Sequence, residues 1–237
     1  MAVRQSVPYG RAILGGSFNP PHVGHLRLAV EVGERLGDLV TGVDLVPCAV
    51  PPHKDATSLL PFELRAAMVE ACTRKVSWLD CNRLEGRRRG PSFTWDTLLA
   101  YKKENPEREV YFILGSPDFA QVPFWHRGLE LPSLCHFVVV PREGADKQEF
   151  MDNAFKAWPN ARECASSIHD CPCLSLPGGG QALFLPVPSI SVSSSCVRQA
   201  WLAGRCVDFL LPEVVHAILR EHDQEIREHW LKASEVS

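Results

Sequence analysis

The chain contains no hydrophobic run of the length a bilayer demands. A spanning helix needs roughly 18 to 20 consecutive apolar residues, and no stretch approaches that. Nor is there an excess of one charge: 25 Lys and Arg face 28 Asp and Glu, a formal net charge of -3. That balance argues against a polybasic nucleic-acid or membrane binder. It does not exclude an anionic substrate, because a site can be locally positive on an acidic protein. The opening stretch, MAVRQSVPYGRAILGG, lacks an apolar core long enough for a signal peptide, so a cytoplasmic protein is expected. The nine cysteines then read as reduced thiols rather than a disulfide framework. Cys164, His169, Cys171 and Cys173 suggest zinc at first sight. Cys-x-Cys is not the usual zinc pair, however, and no dedicated protein metal site is expected. Internal repeats and long low-complexity tracts are also missing.

What is present is an alternation. A hydrophobic fraction of 45% and a charged fraction of 22% are ordinary for a globular protein. Short apolar runs at Arg11 to Leu14, VDLVPC, VSWLDC, EVYFILG, CHFVVVP and ALFLPV read as strands. Between them lie helical patterns. The first ends at Gly37, the second places Leu64, Met68 and Ala71 on one face, and the third carries Asp96 in its first turn. The expected fold class is α/β: a Rossmann-like, doubly wound, mostly parallel sheet with helices on both faces and a C-terminal helical segment. That last segment should open at Pro212, with Val214, Val215, Ile218 and Leu219 as its apolar stripe. Residues 1–237 read as a single domain. The alternation lapses between Pro141 and Pro186, and an insertion or surface excursion is expected at about 142–181.

In such sheets ligands bind beyond the carboxyl ends of the strands. The stretch LGGSFNPPHVGH, Leu14 to His25, falls there, between the first strand and the first helix. Gly15 and Gly16 let a backbone approach a ligand, and Pro20 and Pro21 stiffen the turn. A helix N-terminus after a glycine-bearing loop is a natural anion site. His22 and His25 there can donate to phosphate oxygens and meet charge that develops during phosphoryl or nucleotidyl transfer. The plainer reading is that the histidines cap the helix or bind a metal.

GGSFNPPHVGH resembles the GxFxPxHxGH signature of the nucleotidylyltransferases, the superfamily that shares an HxGH element with class I aminoacyl-tRNA synthetases. Gly16, Phe18, Pro20, His22, Gly24 and His25 occupy motif positions. Asn19 stands where bacterial members commonly carry Asp. A second stretch, SISVSSSCVRQAW, is similar to the family's ISSTxIR element from Val192 to Arg198. The resemblance implies that Ser193, Ser194 and Ser195 face the triphosphate and that Arg198 supplies a forked cation. A serine run before a helix is otherwise an N-cap.

Three further stretches resemble the bacterial nicotinate mononucleotide adenylyltransferase branch. PPHK places Lys54 where those enzymes hold a basic residue near phosphate; a solvated loop lysine is the alternative. GPSFTWDTL resembles PSYTxDTL and implies that Thr94 and nearby N–H groups receive the nicotinate carboxylate. LGSPDFAQVPFWHRGLEL resembles GxDxxxxhxxWxxxxxL, with one residue more than usual between Gly115 and Asp118. There Trp125 would stack on the pyridine ring, and His126 stands where relatives often carry tyrosine.

The resemblance implies transfer of AMP from ATP to nicotinate mononucleotide, giving nicotinate adenine dinucleotide and pyrophosphate. His22, His25 and Arg198 would be catalytic. Gly16, Ser17, Phe18, Gly24 and Ser193 to Ser195 would bind ATP, and Lys54, Thr94, Asp118, Trp125 and His126 the mononucleotide. Mg²⁺ would arrive with the phosphates. ATP and nicotinate mononucleotide are thus the expected partners, without nucleic acid or membrane, and a homo-oligomer stays open. The alternatives are a nicotinamide mononucleotide or phosphopantetheine type of transferase, or a silent nucleotide-binding regulator.

Overall fold

The computed structural model describes residues 10–52, 58–142, 144–188 and 190–232. Strand β1 (Gly10–Gly16) runs past the expected Leu14 and includes both glycines. Helix α1 (Val23–Leu36) follows the proline-rich turn. It stops where Gly37 takes a φ of +51°, a left-handed conformation that costs glycine no Cβ clash. The alternation then continues through β2 (Val40–Pro47), α2 (Phe62–Thr73), β3 (Leu79–Cys81), α3 (Thr94–Glu104) and β4 (Val110–Gly115). Next come α4 (Ser116–Gln121), β5 (His136–Val140), α5 (Lys147–Ala157), β6 (Arg162–Glu163), β7 (Cys173–Ser175) and β8 (Gln181–Phe184). Three helices close the chain: α6 (Ser194–Leu202), α7 (Glu213–Glu221) and α8 (Asp223–Lys232).

One eight-stranded sheet has the order β3-β2-β1-β4-β5-β8-β7-β6. Strands β4, β5 and β8 pair in parallel, with Phe112 opposite Phe137 and Val138 opposite Leu183. This is the mostly parallel, Rossmann-like α/β sheet the alternation predicts. The departure lies at one edge, where β7 pairs antiparallel with β8 and β6 antiparallel with β7. The turn from β7 to β8 explains it. Gly178 and Gly179 take φ of +98° and +97°, and Leu176 N–H donates to the Gly180 carbonyl at 2.8 Å. The triple glycine thus folds the chain straight back as a hairpin.

The chain divides into two compact units. The first comprises residues up to Ile13, Gly33–Val43 and Thr94–Pro186. Its core is aromatic: Phe119 lies 5.5 to 5.9 Å from the rings of Phe137, Phe150 and Trp158. Phe150, Met151 and Ala154 form the buried stripe of α5, whose N-terminus is capped by the Asp146 carboxylate accepting from Glu149 N–H at 2.9 Å. Residues expected as an insertion or surface excursion therefore supply much of this core. Trp158, Ile168, Cys171 and Leu174 are also buried. Their spacing is irregular because Trp158, Ile168 and Cys171 lie in connecting loops and only Leu174 in a strand.

The second unit comprises Leu14–Val32, Asp44–Phe93 and Val187–Ser237. Leu60, Met68, Val197, Trp201, Val215, Leu219, Ile226 and Trp230 form its core. The expected C-terminal helical segment is present as two helices, α7 and α8, separated at His222. Of the expected stripe, Val215 and Leu219 are fully buried, while Val214 and Ile218 pack at the margin. On α2, Met68 is buried but Leu64 and Ala71 are only half so; Arg65, Ala66, Val69 and Cys72 are buried instead. A helix buried on more than one side loses the single stripe that periodicity detects. No helix among the described residues is long and apolar enough to cross a membrane.

Candidate active site

The histidine loop leaves β1 through Ser17 and a fully buried Phe18, whose φ of +45° is an unusual left-handed value for a bulky residue. Phe18 meets the His25 ring edge-on at 4.9 Å. The His25 ring in turn stacks on His22 at 3.6 Å between centroids. His22 is 5% exposed and sits just before α1. Its backbone N–H donates to His25 Nδ1 at 3.2 Å, while His25 N–H donates to the His22 carbonyl at 3.0 Å. The His25 side chain thus supplies one half of a capping box, the return bond being made to the His22 backbone carbonyl. It also fixes chemistry: a ring nitrogen that accepts carries no proton, so neutral His25 bears its hydrogen on Nε2. The capping expected of these histidines is thus met at the start of α1.

Gly24 is small for a reason. A Cβ there would lie 2.9 Å from Val192 Cγ1 and 3.1 Å from both His22 Nδ1 and the Ile190 carbonyl. The two motifs are therefore packed against each other within this unit. At Gly16 a Cβ would meet the Phe18 ring at 3.1 Å, so that face is covered by the loop's own side chain. The first turn offers fewer N–H groups than the sequence suggests, since Val23 N–H donates to the Leu210 carbonyl at 3.0 Å.

Ser193 caps α6, its hydroxyl accepting from Cys196 N–H at 3.2 Å. Ser194 Oγ donates to the Pro20 carbonyl at 2.9 Å. The Arg198 guanidinium donates to the Asn19 carbonyl at 2.9 Å and to Ser195 Oγ at 3.1 Å. Burial lowers the Arg198 pKa from its ordinary value, yet a guanidinium stays charged. Arg198 is thereby locked to the histidine loop, with donors in its fork still unspent by these two bonds. Lys54 lies outside the described residues.

Sequence reasoning missed what holds this loop in place. Arg65 is fully buried, with Nε donating to the Leu60 carbonyl and Nη1 to those of Ser17 and Cys48, all at 2.7 Å. Asn19 is 3% exposed; its amide donates to the Ser58 carbonyl at 2.8 Å and accepts from Leu60 N–H at 3.1 Å. The loop after β2 is clamped by Ser92 Oγ, which accepts from the N–H groups of Ala49 and Val50. An arginine in an amphipathic-looking helix reads as surface, so no signal marked Arg65.

In the other unit, Thr94 is the first residue of α3 and half-buried. Trp125 follows a 3-10 turn, Val122–Phe124, and is half-buried rather than core. His126 is exposed. Trp95 is buried, and the Arg127 guanidinium lies 3.8 Å from its ring centroid, within cation–π range. Asp118 is exposed in the first turn of α4. Despite the extra residue, its carboxylate returns to the strand end: Oδ2 lies 3.5 Å from where a Gly115 Cβ would be. The Arg142 Nε is 3.2 Å from the same point. Arg142 was also missed, although it follows the VVVP strand end.

A model of the family described as cytidylyltransferase-like matches residues 13–200. The chain belongs to the cytidylyltransferase-like family. Among its relatives, a probable nicotinate-nucleotide adenylyltransferase from Pseudomonas syringae pv. tomato is 36% identical over 92% of this chain and 94% of its own. One of the same description from Dehalococcoides mccartyi is 36% identical over 89% of this chain and 94% of its own. Among solved structures, the Plasmodium falciparum nicotinic acid mononucleotide adenylyltransferase complexed with NaAD superposes with a TM-score of 0.68. It is 18% identical and covers 91% of this chain and 96% of its own, a likeness of fold. The cytidylyltransferase-like match spans the histidine loop and reaches past Arg198.

Proposed function

We propose that the protein transfers the adenylyl group of ATP to nicotinate mononucleotide. A phosphate oxygen of the mononucleotide attacks the α-phosphorus in line, the bond to the β-phosphate oxygen breaks, and pyrophosphate leaves. No covalent enzyme intermediate is needed, because the attacking oxygen is already anionic. Catalysis then rests on positioning and on stabilising charge.

The observation that carries this reading is the His22–His25 pair at the start of α1, with His22 N–H donating to His25 Nδ1 at 3.2 Å and the two rings stacked at 3.6 Å. In this reading His22, His25 and Arg198 stabilise the phosphates. Gly16, Ser17, Phe18, Gly24 and Ser193 to Ser195 shape the ATP side. Lys54, Thr94, Asp118, Trp125 and His126 receive the mononucleotide. The names of the relatives support the acid as acceptor. Among the described residues no group of three or more His, Cys, Asp or Glu side chains stands together to hold a metal ion. In this reading Mg²⁺ would take its ligands from phosphate oxygens and water, which suits its preference for a hydrated shell. We read residues 1–237 as a single nucleotidylyltransferase domain with an insertion at about 142–181, since the family model runs through segments of both units.

Purified protein with ATP, Mg²⁺ and nicotinate mononucleotide should release pyrophosphate, with a higher kcat/KM than for nicotinamide mononucleotide. Release with neither would overturn the reading; a preference for the amide would overturn the choice of acceptor.

A further inference from the structure

A pair of cysteines outside the proposed active site stands in bonding register. Strands β6 and β7 pair antiparallel, with Arg162 opposite Ser175 and Glu163 opposite Leu174. One step further, Cys164 N–H donates to the Cys173 carbonyl at 3.0 Å, which sets the two residues opposite each other. Their sulfurs are 2.7 Å apart, against about 2.05 Å in a formed disulfide. We propose that Cys164 and Cys173 form a reversible dithiol–disulfide site.

The two thiols differ in a way that assigns their roles. Cys164 is partly exposed, whereas Cys173 is buried. Burial, and then the neighbouring Cys164 and Cys171, push the Cys173 thiol well above its ordinary pKa. Gln181 Nε2 lies 3.8 Å from Cys164 Sγ, at the more open side of the pair. Cys164 is thus the sulfur that a small oxidant meets first. Its thiolate attacks one sulfur of a low-molecular-weight disulfide, expelling one thiolate and leaving a mixed disulfide. The Cys173 thiol then loses its proton and attacks Cys164 Sγ, expelling the second thiolate. Two protein thiols are oxidised by two electrons and one small disulfide is reduced to two thiols. Cys171 does not compete, because its thiol is buried and directed to the Phe184 carbonyl at 3.2 Å.

The test is made on the whole protein in its native state. It is treated with oxidised glutathione, quenched in acid, alkylated, and cleaved with trypsin and before Asp170 without reduction. That cut separates Cys164 from Cys173 unless a bond joins them. The expected product is a linked pair of peptides 2 Da lighter than their sum, released by dithiothreitol, retained in the C171S and C196S variants and absent from C173S. The reasoning is overturned if both cysteines are alkylated. It is equally overturned if Cys164 stops at the glutathione adduct, or if C171S abolishes the link.

Discussion

Replacing Arg65 with Met would test how much of the histidine loop's position depends on one buried cation. Met keeps an unbranched stem out to about the position of Nε, so the change removes the guanidinium and its donors while leaving the stem's packing. Three carbonyls, of Leu60, Ser17 and Cys48, lose donors at 2.7 Å. Hydrogen bonds to a charged group contribute about 1.5–3 kcal/mol each, so the gross loss is roughly 5–9 kcal/mol. Against this stands the cost of burying the cation, several kcal/mol, which Met avoids. Burial indeed lowers the Arg65 pKa, opposed by Cys48 and Glu85. The net expectation is a loss of about 3 kcal/mol. In a urea titration that is a midpoint lowered by about 1 M at unchanged m. Arg65→Lys keeps the charge without the fork and should fall between the two. Because Ser17 opens the histidine loop, R65M should also lower kcat at temperatures where it stays folded. An R65M stability within about 0.5 kcal/mol of wild type would refute the reasoning.

Three other outcomes are expected. His25→Ala removes both the Nε2–H donor and the cap, and should lower kcat at least about 100-fold at a cost of only about 1 kcal/mol in stability; pyrophosphate release and thermal melts separate the two, and activity within threefold of wild type would remove His25 from the mechanism. Asn19→Asp turns the donor at Ser58 into a second acceptor, and should cost about 1–3 kcal/mol in urea; an unchanged midpoint would mean the amide is dispensable. Burial lowers the His136 pKa, with Glu109 opposing. The folded state therefore binds its proton less readily than the unfolded state, and stability should be lost as pH falls below about 6.5. H136Q should show a flatter stability–pH curve across that range, and an identical slope would assign the effect elsewhere.

The residues that sequence could read were those whose pattern is local. Strands β4 and β5 announced themselves as apolar runs, and α1 by its glycine stop. The histidine loop, Ser193–Arg198 and Trp125 were legible because fixed spacing carried a resemblance. What stayed hidden depends on contacts distant in sequence. Arg65 satisfies carbonyls up to 48 positions away, and nothing in FELRAAM marks it as buried. The β7–β8 hairpin was missed because a three-residue strand gives no period to count. The extra residue before Asp118 is counted along the chain, while the turn of α4 brings its carboxylate back beside Gly115.

Both rims of the sheet end on very little strand. At one rim β3 has three residues and at the other β6 has two, well short of the usual 5–6. Asp80 sits in the first, and Arg162 and Glu163 make up all of the second. A neighbouring chain seeking to lengthen the sheet would find only two or three backbone positions, with charged side chains among them. Such blunted, charged rims resist ordered stacking of chains, so the long apolar strands between them can coexist at high concentration without templating fibres.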